Sequence, residues 1–251
     1  MPKVLITGCS TGFGLEIARH FLKREWDVVA TMRNPADSQL PSSDRLRVLA
    51  LDVADQASID AAIREAGDID LLVNNAGIGW LNAAEGTSME TTRRLFETNT
   101  FGTMAMTRAV LPAMRARGAG VIINVTSSTT LKALPLLAVY TASKAAVNAY
   151  TASLAEEVAQ FGIRAHNVIP GQSSATAFAR NAGERIGAEG GFPPAYAAMA
   201  DQIFQHHAEL SPNQATRPED VAQAVWEVAN DPNSPRHVPA GTDAVALASA
   251  A

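Results

Sequence analysis

Six short apolar runs are spaced along this chain, and none alternates apolar with polar residues. They are Val4–Thr7, Val28–Thr31, Arg47–Leu51, Leu71–Asn74, Val121–Thr126 and Arg164–Ile169. Unbroken runs of this length mark strands buried on both faces, as in a parallel sheet. Between them lie helical segments: Gly14–Lys23, Gln56–Ala66, Met89–Arg117 (interrupted near Asn99–Gly102) and Val139–Phe161. Parallel neighbours need crossover connections, and right-handed crossovers place helices on both faces. The pattern predicts a doubly wound α/β sheet.

The chain has 251 residues, enough for one such domain without disulfide staples. We expect a single domain over 1–251, with a segment at about 172–216 that breaks the pattern. Gly183, Gly187, Gly190 and Gly191 punctuate that segment as hinges, Pro193-Pro194 follow, and one short helix is expected with Tyr196, Met199 and Ile203 on one face. A last helix is expected from Pro218, with Glu219 and Asp220 favourably placed in its first turn.

The first apolar run ends in Thr7-Gly8-Cys9-Ser10-Thr11-Gly12-Phe13-Gly14 and a helix follows. Gly8 can adopt a backbone conformation that other residues resist. Gly12 and Gly14 permit close approach of backbone to a pyrophosphate, while the helix start offers free N–H groups and a positive dipole end. A lone glycine motif is weak; strand before and helix after strengthen it. At the end of the second strand an acidic residue would mark NAD(H). Here Met32 is followed by Arg33, whose guanidinium suits a 2′-phosphate, so NADP(H) is preferred and NAD(H) remains possible. The plainer alternative is that Arg33 is a solvated loop cation. Asp52-Val53 and Asn74-Asn75-Ala76-Gly77 end the third and fourth strands, where ligands of open α/β sheets bind. Taken alone they are ordinary turn residues.

Tyr140 and Lys144 lie one helical turn apart at the start of the longest helix. Its apolar stripe, Val147, Tyr150, Leu154, Val158 and Phe161, extends back through them, so both face inward. A phenol with a pKa of about 10 is a poor base at neutral pH. A neighbouring ammonium favours the phenolate and is expected to lower that pKa. Ser127 would hold a substrate oxygen beside the phenol, with Ser128 as the alternative. Asn99, at the expected helix interruption, either holds a water connecting Lys144 to solvent or bends the helix.

Together these residues resemble the short-chain dehydrogenase/reductase family, over roughly residues 3–180. The resemblance implies a single Rossmann-type domain. It implies a cofactor site from Gly8, Ser10, Thr11, Gly12, Phe13, Gly14, Arg33, Asp52, Val53, Asn74, Ala76, Gly77, Tyr140, Lys144, Pro170, Gly171 and Thr176. It implies a catalytic tetrad of Asn99, Ser127, Tyr140 and Lys144. Gly8-Cys9-Ser10, Ala30 to Pro35 and Asn99 to Gly102 look like the 17-beta-hydroxysteroid dehydrogenase-like subgroup, which implies NADP(H) and a homodimer or homotetramer. The chain departs from the family pattern in three places. Thr130 stands where glycine is common, Pro170 to Thr176 is one residue longer, and no Gly-Gly opens a final strand near His237–Gly241.

The expected activity is interconversion of an alcohol with a ketone or aldehyde, with Tyr140 as acid and base. Substrate would lie under the 172–216 segment, against Trp80, Leu134, Phe178, Phe192, Tyr196 and Met199, although each serves equally as packing. A cofactor-binding sensor without turnover is the competing reading. A zinc enzyme is disfavoured, since His206-His207 are adjacent and Cys9 is the one cysteine. A net charge of −5 argues against nucleic-acid or anionic-membrane partners, and no apolar run reaches a membrane span. One cysteine fits a reducing cytoplasm.

Overall fold

The computed structural model describes residues 1–173, 178–209 and 215–250; the side chains of residues 178–179 and 206–209 are outside the description. Seven parallel strands form one sheet in the order β3-β2-β1-β4-β5-β6-β7. They are β1 (Lys3–Ile6), β2 (Asp27–Met32), β3 (Leu46–Ala50), β4 (Leu71–Asn74), β5 (Gly120–Val125), β6 (Ile163–Pro170) and β7 (His237–Ala240). The strand order reverses between β1 and β4, which opens a crevice at their carboxyl ends.

The unbroken apolar strands are explained by two cores, one on each face. Val4, Ile6, Val28, Ala30, Val73 and Ile123 point to the face covered by α1 (Gly12–Leu22) and α8 (Pro218–Asn230). Leu5, Val29, Leu72 and Ile122 point to the other, covered by α2 (Gln56–Ala66), α4 (Gly102–Arg117) and α5 (Ala138–Ala159). Leu5, Ile6, Leu72, Ile122 and Ile123 are fully buried, each contributing roughly 2 kcal/mol of transfer free energy. Successive residues of one strand thus serve opposite cores, so the strands are apolar over consecutive positions and the buried polar exceptions, such as Asn74 and Asn124, lie toward their carboxyl ends.

Met89–Arg117 is continuously helical, with a change of pitch where an interruption was expected. α3 (Met89–Phe96) passes through one π-helical turn, Glu97–Phe101, into α4. The wide turn buries both Asn99 and Thr100 against α5, where Thr100 Oγ1 donates to the Ser143 carbonyl at 2.9 Å. α5 stops at Ala159, so Phe161 lies past its end and is 37% exposed.

The 172–216 segment differs from expectation. It contains two helices, α6 (Phe178–Ala188) and α7 (Ala197–Glu209), with a 3-10 turn over Pro194–Tyr196. Gly183 and Gly187 lie inside α6 and are not hinges; Gly190 and Gly191, at positive φ, end the helical stretch. Tertiary contacts offset the low helix propensity of the two glycines. Ile186 packs with Trp80 and Leu95, Glu189 pairs with Arg94 and Thr91, and Asn82 Nδ2 donates to the Gly191 carbonyl at 3.0 Å. β7 forms without a Gly-Gly opening, in register with Asn167–Pro170, and α9 (Thr242–Ser249) follows it. Among the described residues no helix is long and apolar enough to cross a membrane.

Candidate active site

The turn after β1 is locked by neighbours. Gly8 and Gly12 have φ of +75° and +63°, which side chains resist. At Gly14 a Cβ would lie 2.3 Å from the Gly8 carbonyl oxygen, so only glycine lets the helix start close on the turn. Thr11 gives α1 no side-chain cap, which leaves first-turn N–H groups facing the crevice. Phe13 turns its ring into the core. Cys9 is fully buried, donates to the Ile6 carbonyl, and burial pushes its thiol up to about 12, so it is inert.

The turn is tied to the end of β4 through Thr7 and Asn75, neither of which is in the expected site set. Thr7 Oγ1 accepts from the N–H groups of Asn75 at 3.0 Å and Ala76 at 2.9 Å. Asn75 Nδ2 donates to the carbonyls of Thr7 and Gly8, at 2.9 and 3.1 Å. Asn74, placed at the cofactor from sequence, points elsewhere. Its amide donates to Asn124 Oδ1 at 2.9 Å and Thr107 Oγ1 at 3.2 Å, and Asn124 donates on to Thr151 at 2.8 Å. Side chains alternate along a strand end, so of two adjacent asparagines one faces the turn and the other the core.

Arg33 is exposed at the end of β2. Burial, then the charge of Arg94 and then that of Arg33, lowers the Arg185 pKa, so Arg185 on α6 lies within electrostatic reach of Arg33. Asp52 is exposed and its carboxylate accepts from Ala54 N at 3.0 Å. Val53 is buried against Gly102, where a Cβ would meet it at 2.8 Å.

Tyr140, Lys144, Ser127 and Asn99 are all buried at the carboxyl end of the sheet. Of the two candidate serines, Ser127 hydrogen-bonds the Tyr140 phenol. Lys144 Nζ donates to the Val125 carbonyl at 3.1 Å, and a Cβ on Gly77 would lie 3.3 Å from it. The Lys144 ammonium and Asn99 therefore close around Gly77. Both hydrogens of the Asn99 amide are donated within the protein, to the Ile78 carbonyl at 3.0 Å and Ser143 Oγ at 3.1 Å. Ser143 donates to the Tyr140 carbonyl at 2.7 Å. Both donors of the amide are thus committed to this clamp. At Thr130, where glycine is common, Oγ1 donates to the Ser127 carbonyl at 2.8 Å and accepts from Asn148 at 2.9 Å.

The expected lowering of the phenol pKa is not found. Burial pushes Tyr140 up to about 12, with the Ser127 bond pulling the other way, and burial pushes Lys144 down to about 8. Desolvation dominates at both groups, and at Tyr140 it outweighs the Ser127 bond.

The residues expected to line a substrate site divide. Trp80 is a packing residue, buried with Leu95 and Ile186 and donating Nε1–H to Thr87 at 2.9 Å. Phe192 and Tyr196 sit partly buried between loop 80–83 and α7, and Tyr196 hydrogen-bonds Glu85. Leu134 and Met199 are exposed, at 37% and 42%. Thr176 and the Phe178 side chain are outside the described residues. Pro170 ends β6 and Gly171 follows it. Among the described residues no three His, Cys, Asp or Glu side chains gather to hold a metal ion.

The family model described as short chain dehydrogenase matches residues 2–187. Retinol dehydrogenase 8 of Bos taurus is 33% identical over 247 residues, covering 92% of this chain and 79% of that protein. The NADP-dependent 3-hydroxy acid dehydrogenase YdfG of Escherichia coli is 33% identical over 239 residues, covering 91% and 89%. The crystal structure of a short-chain dehydrogenase from Streptomyces avermitilis superposes with a TM-score of 0.83 at 31% identity, covering 100% of this chain and 92% of that one. The family match, the Rossmann-type sheet and the buried Ser–Tyr–Lys site agree: this chain belongs to the short-chain dehydrogenase family, oxidoreductases that act on CH–OH donors.

Proposed function

We propose that the protein is an NADP(H)-dependent oxidoreductase that interconverts an alcohol with a ketone or aldehyde, with Tyr140 as the general acid and base. The observation that carries this is the Ser127–Tyr140 hydrogen bond, buried one helical turn from Lys144 and beside Gly77. A dinucleotide fits the crevice: the positive-φ turn at Gly8 and Gly12, the Gly14 contact and the uncapped start of α1 suit a pyrophosphate. Arg33, without an acidic residue at Met32, suits a 2′-phosphate, and the Escherichia coli relative is NADP-dependent. When bound, the nicotinamide supplies or accepts the hydride.

The chain's own residues do the rest. Ser127 donates to the substrate oxygen and fixes it beside the phenol. Tyr140, a phenol at neutral pH, gives its proton to that oxygen in reduction and takes it back in oxidation. Lys144 holds its charge near the phenol, and Asn99 positions the Gly77–Ile78 backbone against Lys144. A site that excludes water strengthens each of these interactions.

The test follows NADPH and NADH oxidation over a panel of ketones, aldehydes, quinones and keto-steroids, with Tyr140→Phe as control. Turnover in the wild type, lost in the variant while NADPH still binds, supports the reading. A Tyr140→Phe enzyme that keeps most of its turnover overturns the role of Tyr140. NADPH binding with no turnover on any carbonyl favours the sensor.

A further inference from the structure

The two stems of the 172–216 segment meet at one carboxylate. Gln172, on the way out of the sheet, donates its backbone N–H to Asp243 Oδ2 at 2.7 Å. Thr216, on the way back, donates its hydroxyl to Asp243 Oδ1 at 2.6 Å. Thr216 Oγ1 also lies 3.0 Å from the Ala240 carbonyl, but it has one proton, and the charged, nearer oxygen is the stronger acceptor. Thr216 Oγ1 accepts from Gly171 N at 2.9 Å, and Thr216 N donates to the Gln172 carbonyl at 2.8 Å.

The packing leaves no room for a side chain at either neighbouring glycine. A Cβ on Gly171 would lie 2.1 Å from Asp243 Oδ1, and one on Gly241 would lie 2.0 Å from Thr216 Oγ1. Thr216 itself is 2% exposed. Asp243 sits in the first turn of α9, where the helix dipole favours its charge. The cluster also adjoins the reacting groups. Thr126 N donates to the Val168 carbonyl at 2.9 Å, so Ser127 and Pro170-Gly171 leave the sheet from neighbouring strands.

We infer that Asp243 and Thr216 are positioning residues for the reaction, setting where the Pro170–Gln172 turn and the stems of the 172–216 segment stand relative to Ser127 and Tyr140. This rests on the reading of the site proposed above. Losing the carboxylate leaves the Gln172 N–H and the Thr216 hydroxyl without their shared acceptor, and the turn beside the substrate oxygen loosens. A displacement of order 1 Å at such a place costs about a hundredfold at most in rate.

The test compares Asp243→Ala, Asp243→Asn, Thr216→Val and Thr216→Ser in the full-length enzyme. Amide hydrogen exchange at Gly171, Gln172 and Thr216 is expected to quicken about tenfold in Asp243→Ala, while Asn167–Ile169 stay protected. Carbonyl KM is expected to rise about tenfold, with the pH limb of the reaction unmoved. Thr216→Val should match it, Thr216→Ser should stay near wild type, Asp243→Asn should fall between, and the double variant should be no worse than either single. Unchanged exchange and KM overturn the proposal; quicker exchange with unchanged KM also does, since the clamp is then structural only. If Asp243→Ala does not fold, Thr216→Val against Thr216→Ser carries the same comparison. If the wild type reduces no carbonyl, the reaction reading fails by itself. The clamp is then judged on exchange and on NADPH affinity, expected to weaken about fivefold.

Discussion

Asn99 grips Ile78 by both of its backbone groups: Oδ1 accepts the Ile78 N–H at 2.8 Å and Nδ2 donates to the Ile78 carbonyl at 3.0 Å. The π-helical turn buries Asn99 to 1% exposure, and the loop after β4 is thereby tied to the helix that carries Tyr140 and Lys144. Asn99→Ala leaves the partly buried N–H and carbonyl of Ile78 without this partner. Stability should fall by about 2–4 kcal/mol, read from urea unfolding, and carbonyl turnover should fall with it. Asn99→Asp keeps the acceptor but loses both donated bonds, so it should not rescue. A stability within 0.5 kcal/mol of wild type, on the order expected of an idle surface position, would show that the clamp does not hold the loop.

Gly14 tests the cradle directly. Its Cβ position is 2.3 Å from a backbone oxygen and 2.5 Å from the Asn75 amide. Backbone cannot retreat as a flexible side chain can, so Gly14→Ala should cost about 1–3 kcal/mol and weaken NADPH binding as the turn opens. Calorimetry with and without NADPH reads both effects. Loss of stability with intact NADPH affinity would separate the packing from the ligand site.

Arg33 tests the cofactor choice. Arg33→Asp replaces a 2′-phosphate partner by a repelling carboxylate. NADPH affinity should drop by about a hundredfold while NADH changes little or improves, because only NADPH carries that charge. Titration of each cofactor by fluorescence checks this. Equal losses for both would move the 2′-phosphate away from Arg33.

The pH dependence follows from the buried pair. Lys144 is pushed down to about 8 and Tyr140 up to about 12, so below pH 8 the site holds an ammonium and a phenol. Carbonyl reduction needs the phenol's proton and the ammonium's charge. Its kcat/KM should be level at neutral pH and decline as pH rises through about 8, while alcohol oxidation should rise with pH up to about 8 and then level off. A reduction limb that stays level to about pH 10, near the ordinary lysine pKa, would remove the Lys144 charge from the mechanism.

His20 predicts an acid limb in stability. Burial, with the charges of Arg24 and Lys23, pushes its pKa down to about 4, and its ring lies among Phe21 and Trp226. The folded state disfavours the imidazolium. Stability from this site is present above the unfolded value of about 6.5 and is lost as pH falls toward about 4. Melting temperature measured across that window should fall less steeply in His20→Phe than in the wild type.

The sheet, the glycine turn and the Tyr140–Lys144 pair were legible in the sequence because they rest on local rules. Unbroken apolar runs report burial on both faces, glycines report special φ or close approach, and i,i+4 spacing reports one helix face. Of the two helices in the 172–216 segment α6 was not legible, since Gly183 and Gly187 lower helix propensity and only contacts to Trp80, Leu95 and Arg94 restore it. β7 was hidden for the same reason: it exists by pairing with β6, and a strand of four residues has little signal of its own.

Residue types at a site could be read along the chain; their partners could not. The sequence by itself determined that a phenol, an ammonium and a hydroxyl would stand at the carboxyl end of a parallel sheet. The tertiary structure decided that Ser127 stands against the Tyr140 phenol, that Asn75 and not Asn74 holds the glycine turn, and that burial raises the phenol pKa. It also brought Asp243 to Gln172 and Thr216 across 71 and 27 residues. Those outcomes depend on which atoms approach and how much water is excluded, and both follow from packing between segments distant in the chain, which no local pattern encodes.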